Sequence, residues 1–473
     1  MRVAAAIPPG LLAFGAALCL TAAVTAAGLT PGGAVRLWAA AMLGSGGQLP
    51  WASVATGYPP IPLVTATALQ AMVPSAPAPA LLAAAVFGLL AMLFVRALRK
   101  ADLPKPLLVV AAPLILLHPF LLRAVLGGPA EMFLALFLYF FGLSLFDLRE
   151  RTQVREIMTT GLSLLGLAFS HPLGAVSAAA AVPLLAFAVR PSFAATSAIN
   201  TVLALIFPAL AGAGAFAYLR WAFPGESLAV DPGEGSRFAA WAADAAIAMA
   251  APLPFFAAFW VRRRRPQLMP ILIFAAVVGL AALFAAMIPF GDPRSVAVAA
   301  PILSAVVLAR VSVARENRLA VVLLLLGGCL AGAPGWKFIE GMAADPAGYS
   351  TTESQRLDAL ALGNAIRGRY GVLIDAVNTP AVVLGRGDAA GLLPPRSESF
   401  ALALMRGRPN APFIAVPDPR GDAGDRLNQA FPHLYRQGLP GYRLIFQNRT
   451  WRLFARERPD VEGIDSAEAR FDP

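Results

Sequence analysis

Acidic residues are missing from the first fifth of this chain: Met1 to Lys100 contains neither aspartate nor glutamate, in a sequence of 473 residues. Charge of both signs is scarce over the chain as a whole, at 14% of residues against 58% hydrophobic. So little charge cannot cover a soluble globule, and the balance is that of a polytopic membrane protein. Cysteine is nearly absent as well. Cys19 and Cys329 both lie in apolar runs, a placement that argues against a structural disulfide or a thiolate metal site and says little about redox compartment. Internal repeats are also lacking, which argues against a transporter built from two related halves. The surplus of Lys and Arg gives a net charge of +11. These cations fall in clusters between apolar runs, the pattern that orients membrane proteins, so no nucleic-acid partner is expected.

Apolar runs occur at about 8–28, 79–97, 105–122, 130–146, 157–175, 176–190, 195–219, 238–260, 267–289, 294–311 and 318–334, each near bilayer length. They predict a mainly α protein with about 11 transmembrane helices. The basic stretches 96–105, 147–156, 189–192, 261–267 and 309–318 fall on one side if the spans alternate. At about 2.5–3.5 kcal/mol for each arginine at a helix centre, burying Arg262 through Arg265 is opposed by roughly 10 kcal/mol. By the positive-inside rule that side is cytoplasmic, with the N-terminus inside and the C-terminus outside. The first apolar run reads either as a signal peptide or as an uncleaved span, and the many spans that follow favour the span. The segment 29–78 is then a long first outside loop. It ends in GYPPIP, where Pro59 and Pro60 lack an N–H and allow a helix to begin only at their far side.

Beyond residue 334 the apolar runs shorten and turn residues multiply. VLIDA, AVVL and FIAVPDP read as short strands, RSESFALALMRG and GDRLNQAFPHLYRQG as amphipathic helices, and YRLIFQNRTWRLFAR as a hairpin turning at 447–449. These elements predict a small extracytoplasmic α/β domain over 335–458, followed by a disordered tail over 459–473. The transmembrane domain is expected to occupy 1–334.

A first span, an outside loop ending in Trp51 and Tyr58-Pro59-Pro60, a run of short-looped spans and an outside α/β domain together resemble the GT-C type integral membrane glycosyltransferases. GGPAEMFLALFLYFFGLSLFDL (127–148) and PFGDPRSVAVAAPILSAVVLAR (289–310) carry the rest of the resemblance. It covers nearly the whole chain and implies a bacterial inner-membrane enzyme. Such an enzyme transfers a sugar from a polyprenyl-phosphate carrier to a glycan or lipid acceptor on the outer face. The family ordinarily holds a carboxylate in the first outside loop, and this sequence has none there. The alternative function is therefore a non-catalytic subunit that keeps the architecture and hands over a lipid-linked glycan.

A departing lipid phosphate calls for arginine, and an acceptor hydroxyl calls for a base. Arg294, in GDPRS at the mouth of a span, is the candidate phosphate ligand, with Asp292 to hold it; their structural alternatives are headgroup snorkelling and helix capping. Glu131 stands at the outer end of a span with Arg123 nearby in sequence. A carboxylate so close to hydrocarbon is costly, although the first turn after Pro129 also suits an acid through the helix dipole. Glu226, Asp231 and Glu234, in a turn-rich outside loop, are substitutes for the missing loop acid or simply solvated. His171 is a candidate base and His118 a candidate binding residue, yet each precedes a proline at a helix end, where a histidine commonly satisfies backbone. Tyr58 and Trp51 would line the loop against the donor. No set of metal-ligating residues and no cofactor are expected, and the sequence leaves a divalent-metal requirement open.

Overall fold

The computed structural model describes residues 8–26, 32–49, 51–101, 103–223, 265–287, 293–310, 318–332, 353–376, 379–395, 397–420 and 425–457. The chain forms two compact units, one of Met1–Ala41 with Ala52–Ser350 and the other of Met42–Trp51 with Thr351–Pro473.

The first unit is helical. In order come α1 (Pro9–Ala26), α2 (Gly32–Ser45, its last turn belonging to the second unit), α3 (Trp51–Ala55), α4 (Pro60–Met72), α5 (Ala78–Lys100) and α6 (Lys105–Leu116). Then follow α7 (Pro119–Gly127), α8 (Pro129–Arg151), α9 (Val154–Ser170), α10 (Pro172–Ala181), α11 (Leu185–Ala188), α12 (Pro191–Ala222), α13 (Arg265–Met287), α14 (Ala299–Arg310) and α15 (Arg318–Ala331). Proline sets many of the starts: α4, α5, α6, α7, α8, α10 and α12 each carry it at the first or second position, where its missing N–H has no intrahelical partner to lose. The helix after GYPPIP accordingly begins at Pro60, behind a cis Tyr58–Pro59 peptide.

Among the described residues, α5, α8 and the Ile199–Ala222 part of α12 are long and apolar enough to cross a membrane. The helices α6 and α7 pass that test only together and are bent by 46°. The run 105–122, expected as one span, is thus broken. His118 precedes Pro119, which disfavours helical backbone at His118 and gives it φ −58° and ψ 132° instead. Further apolar helices of sub-span length cover Pro9–Thr25, Pro172–Ala188, Leu268–Phe284, Ser295–Arg310 and Arg318–Leu330, while the expected run 238–260 lies outside the described residues. Ile199, Phe207, Leu210 and Trp221 of α12 are exposed, an arrangement that water penalises and hydrocarbon does not.

The core gathers around α8, which packs against α5, α7, α9, α13 and α14 and contributes Tyr139, Phe141 and Phe146 beside Phe94 and Phe274. At the α1–α5 crossing two glycines let the backbones touch. A Cβ at Gly88 would lie 2.7 Å from the Gly10 carbonyl oxygen, and one at Gly10 would lie 2.8 Å from that of Gly88. Four of the five basic stretches meet at one end of this unit. Arg310 pairs with Asp147 at 2.5 Å, Arg149 donates to the Val189 carbonyl at 2.5 Å, Arg190 Nε donates to the Arg149 carbonyl at 3.4 Å, and Arg96, Lys100 and Arg310 line one cavity.

The second unit holds α16 (Glu353–Ala365), α17 (Pro380–Arg386), α18 (Glu398–Arg406), α19 (Arg426–Ala430) and α20 (Leu434–Gln437) around one sheet. Its strands are β1 (Val372–Leu373), β2 (Leu392–Leu393), β3 (Phe413–Pro417), β4 (Tyr442–Gln447) and β5 (Trp451–Arg456), in the order β2-β1-β3-β5-β4. The β2, β1 and β3 strands are parallel, and the β4–β5 hairpin adds antiparallel to β3. The AVVL segment, expected as a strand, lies in α17. Pro380 starts that helix and Gly387, at φ 85°, closes it in the left-handed conformation that glycine favours. Arg386 is 2% exposed and donates to the carbonyls of Ile366 (3.1 Å), Arg369 (2.8 Å) and Ala390 and to Asp388 (2.8 Å).

Candidate functional site

At the α7–α8 junction the candidate Glu131 meets Ser295 of the GDPRS segment. Gly128, at φ 105°, forms the N-cap of α8 and turns the chain sharply enough to set Glu131 in the first turn, where the helix dipole favours its negative charge. The Glu131 carboxylate folds back over Gly127: a Cβ there would lie 2.6 Å from Glu131 Cδ and Oε1. Arg123, 7% exposed, stands one turn before Gly127 on the same face of α7. The 3-10 turn Pro293–Val298 approaches from the other side, held by an apolar contact of Phe120 with Ala297 and Ala300. From this turn Ser295, 2% exposed, donates its hydroxyl to Glu131 Oε1 at 3.1 Å. Arg294 is the neighbouring residue in the same turn.

The segment between α1 and α5 reaches the same junction. Ala34 of α2 packs on Gly128, so that a Cβ at Gly128 would lie 3.5 Å from Ala34 Cβ. The loop expected to bring a carboxylate thus brings small apolar surface, while the acid at the junction comes from α8.

Tyr58 and His171 form a second group. The Tyr58 hydroxyl donates to the Ala168 carbonyl at 2.9 Å, an oxygen near the end of α9, and also lies 3.4 Å from the His171 carbonyl, which accepts from the Ala175 N–H of α10. Burial pushes the Tyr58 phenol well above its ordinary pKa, which keeps it a donor. His171 Nδ1 accepts from the Leu173 N–H at 3.1 Å and caps α10. His118 does the same for α7, accepting from the Phe120 N–H at 3.3 Å. It also lines a cavity of about 10 Å3 beside Pro301, Ser304 and Gly328, at the lower limit for one water. Backbone capping is therefore the observed work of both histidines. Trp51 is exposed and belongs to the second unit. Asp292, Glu226, Asp231 and Glu234 lie outside the described residues.

Sequence reasoning passed over Ser295, although it sits in the quoted GDPRS segment. A hydroxyl beside a charged candidate at a helix mouth was the available signal. Among the described residues no group of three or more His, Cys, Asp or Glu could hold a metal ion.

No known protein-family profile and no curated protein matches the chain. Among solved structures, the archaeal oligosaccharyltransferase AglB from Archaeoglobus fulgidus, in complex with an inhibitory peptide and a dolichol-phosphate, is similar. The TM-score is 0.41 at 14% identity, over 86% of this chain and 69% of that one. A likeness of that size says nothing about site residues or substrate.

Proposed function

We propose that this chain is a multi-pass inner-membrane glycosyltransferase of GT-C architecture, moving a sugar from a polyprenyl-phosphate donor to a cell-envelope or extracellular glycan. The basic end of the bundle is cytoplasmic in this reading, and the α/β domain at 335–458 is extracytoplasmic. The best support is the meeting of Glu131 with the turn that carries Arg294, through the Ser295 hydrogen bond of 3.1 Å. A carboxylate and an arginine-bearing turn at one helix mouth are what a reaction with a phosphate leaving group and a hydroxyl nucleophile requires.

In the proposed step the acceptor hydroxyl oxygen attacks the anomeric carbon of the donor. The bond from that carbon to the phosphate oxygen breaks, its electron pair leaves on the polyprenyl phosphate, and the configuration inverts. The hydroxyl proton passes to the Glu131 carboxylate. Arg294 neutralises the phosphate, with Asp292 to orient it and Arg123 close to the carboxylate. Glu226, Asp231 and Glu234 are the substitute bases if Glu131 only positions the acceptor, and His171 is a further one. Tyr58 shapes the loop that faces the donor.

The first test separates position from chemistry. Gly127→Ala leaves Glu131 in place but puts a methyl where its carboxylate lies. Both Gly127→Ala and Glu131→Gln are expected to lower kcat, the latter by about 10²–10⁴-fold as loss of a general base does. Unchanged turnover in both variants would remove Glu131 from the mechanism. The lack of any acid in residues 1–100 favours a second reading, a non-catalytic subunit that binds a lipid-linked glycan. Retention of such a glycan by a wild-type protein with no transfer activity would decide for it.

A further inference from the structure

At the basic end of the bundle, a cavity of about 340 Å3 opens between α5, α8 and α14. Its walls combine two chemistries. Leu93, Ala97, Phe140 and Leu143 are apolar, whereas Arg96, Lys100 and Arg310 are cationic. Arg310 is held by Asp147, but neither Arg96 nor Lys100 has an ion-pair partner among the described residues. Tyr139 also lines the cavity. It is 1% exposed and its hydroxyl has no hydrogen-bond partner among the described residues, an arrangement that costs free energy unless something accepts from it.

We propose that this cavity is a binding site for the phosphate headgroup of an anionic phospholipid in the leaflet at the basic end of the bundle. The phosphate oxygens accept from Arg96, Lys100 and the Tyr139 hydroxyl, and the proximal acyl chain lies on Leu93, Phe140 and Leu143. Helices α5 and α14 end here, while α8 runs on past its lining residues to Arg151. Arg99 and Lys100 stand in the last turn of α5, Arg149 and Arg151 in that of α8, and Arg310 in that of α14. The cationic ends of α5, a candidate membrane span, and of α14 place the pocket at headgroup depth, where basic clefts recruit anionic lipid. A soluble anion would satisfy the cations and the hydroxyl but leave the apolar wall uncovered. The site requires that the chain sit in a bilayer and is independent of any transferase activity.

The test is native mass spectrometry of the purified full chain in detergent, titrated with phosphatidylglycerol, with phosphatidylcholine or with inorganic phosphate. The wild type is expected to retain one phosphatidylglycerol and to bind phosphatidylcholine much more weakly. Arg96→Gln with Lys100→Gln should weaken phosphatidylglycerol binding by about thirtyfold, given the contribution of each cation to anionic-lipid attraction. Tyr139→Phe should weaken it less, and Arg99→Gln, a cation at the same end outside the cavity, should leave it unchanged. Equal binding of the two lipids, or equal loss in Arg99→Gln and the double variant, would overturn the assignment. Displacement of the lipid by millimolar inorganic phosphate would identify a free-anion site and overturn the lipid occupant.

Discussion

Alanine at Gly88 should destabilise the helical unit, and the structure says by how much. The added Cβ would stand 2.7 Å from the Gly10 carbonyl oxygen and 3.1 Å from Phe14 Cβ, with backbone as the first obstacle. Backbone cannot rotate away as a side chain end can, so α1 and α5 must separate along the crossing. Overpacking of this kind costs about 1–3 kcal/mol. The helix propensity gained by replacing glycine, about 1 kcal/mol, offsets part of it. Gly15 supplies the internal control, because it lies on the same α1 helix and an added Cβ there meets nothing within 4 Å. Gly15→Ala is therefore expected to be neutral or stabilising, and Gly88→Ala to lower the midpoint of thermal unfolding in detergent. Gly10→Ala should resemble Gly88→Ala, and the double variant should cost less than the two singles together, since both clash at one contact. Equal midpoints for Gly88→Ala and Gly15→Ala would refute the close crossing of α1 and α5.

Other consequences concern the ion pair and the C-terminal unit. A double-mutant cycle over Asp147→Asn and Arg310→Gln should give a coupling of only about 1 kcal/mol or less, because each side chain is nearly a third exposed. Thermal unfolding of the four proteins measures it. Arg386→Leu should destabilise the α/β unit by about 3–5 kcal/mol, since it strands three carbonyls that a buried guanidinium now satisfies. Limited proteolysis should then cut the C-terminal part first. Tyr442 is held above its ordinary pKa by burial, outweighing the opposing pull of Arg456, and its hydroxyl donates to Ala411 at 2.7 Å and Pro409 at 3.0 Å. Its folded pKa exceeds the unfolded one, so its contribution is complete below about pH 10 and is lost as pH rises further. Alkaline unfolding should accordingly begin at lower pH in wild type than in Tyr442→Phe, relative to their midpoints at pH 7.

Hydropathy makes the helical class legible, because runs of apolar residues between arginine clusters have few other solutions. Pro60, Pro119, Pro129 and Pro172 mark helix starts directly in the sequence, and the β4–β5 hairpin is visible in the alternation of YRLIFQ and WRLFAR. The break at His118 was less legible. An apolar run shows its length but not its straightness, and only the proline at 119 hinted at the 46° bend. AVVL is ambiguous in sequence, because four apolar residues fit a strand or a helix turn equally well until Pro380 and Gly387 are weighed as its boundaries. Glu131 stands out through the cost of charge near hydrocarbon, and the GDPRS segment through an arginine at the mouth of a span. Their meeting does not, because 164 residues separate Glu131 from Ser295 and no local pattern encodes the approach of the 3-10 turn to α7. The cavity at Tyr139 depends likewise on the ends of α5 and α14 converging on the middle of α8.

The most direct measurement is sugar transfer by the purified, reconstituted protein from a panel of labelled polyprenyl-phosphate sugars to isolated envelope glycans. Wild type, Glu131→Gln and Arg294→Ala would be compared at equal folded amounts. Transfer by wild type from at least one donor, with turnover sharply reduced in both variants, is the predicted result. Transfer at the same rate by all three proteins, or by none with any donor, would contradict it.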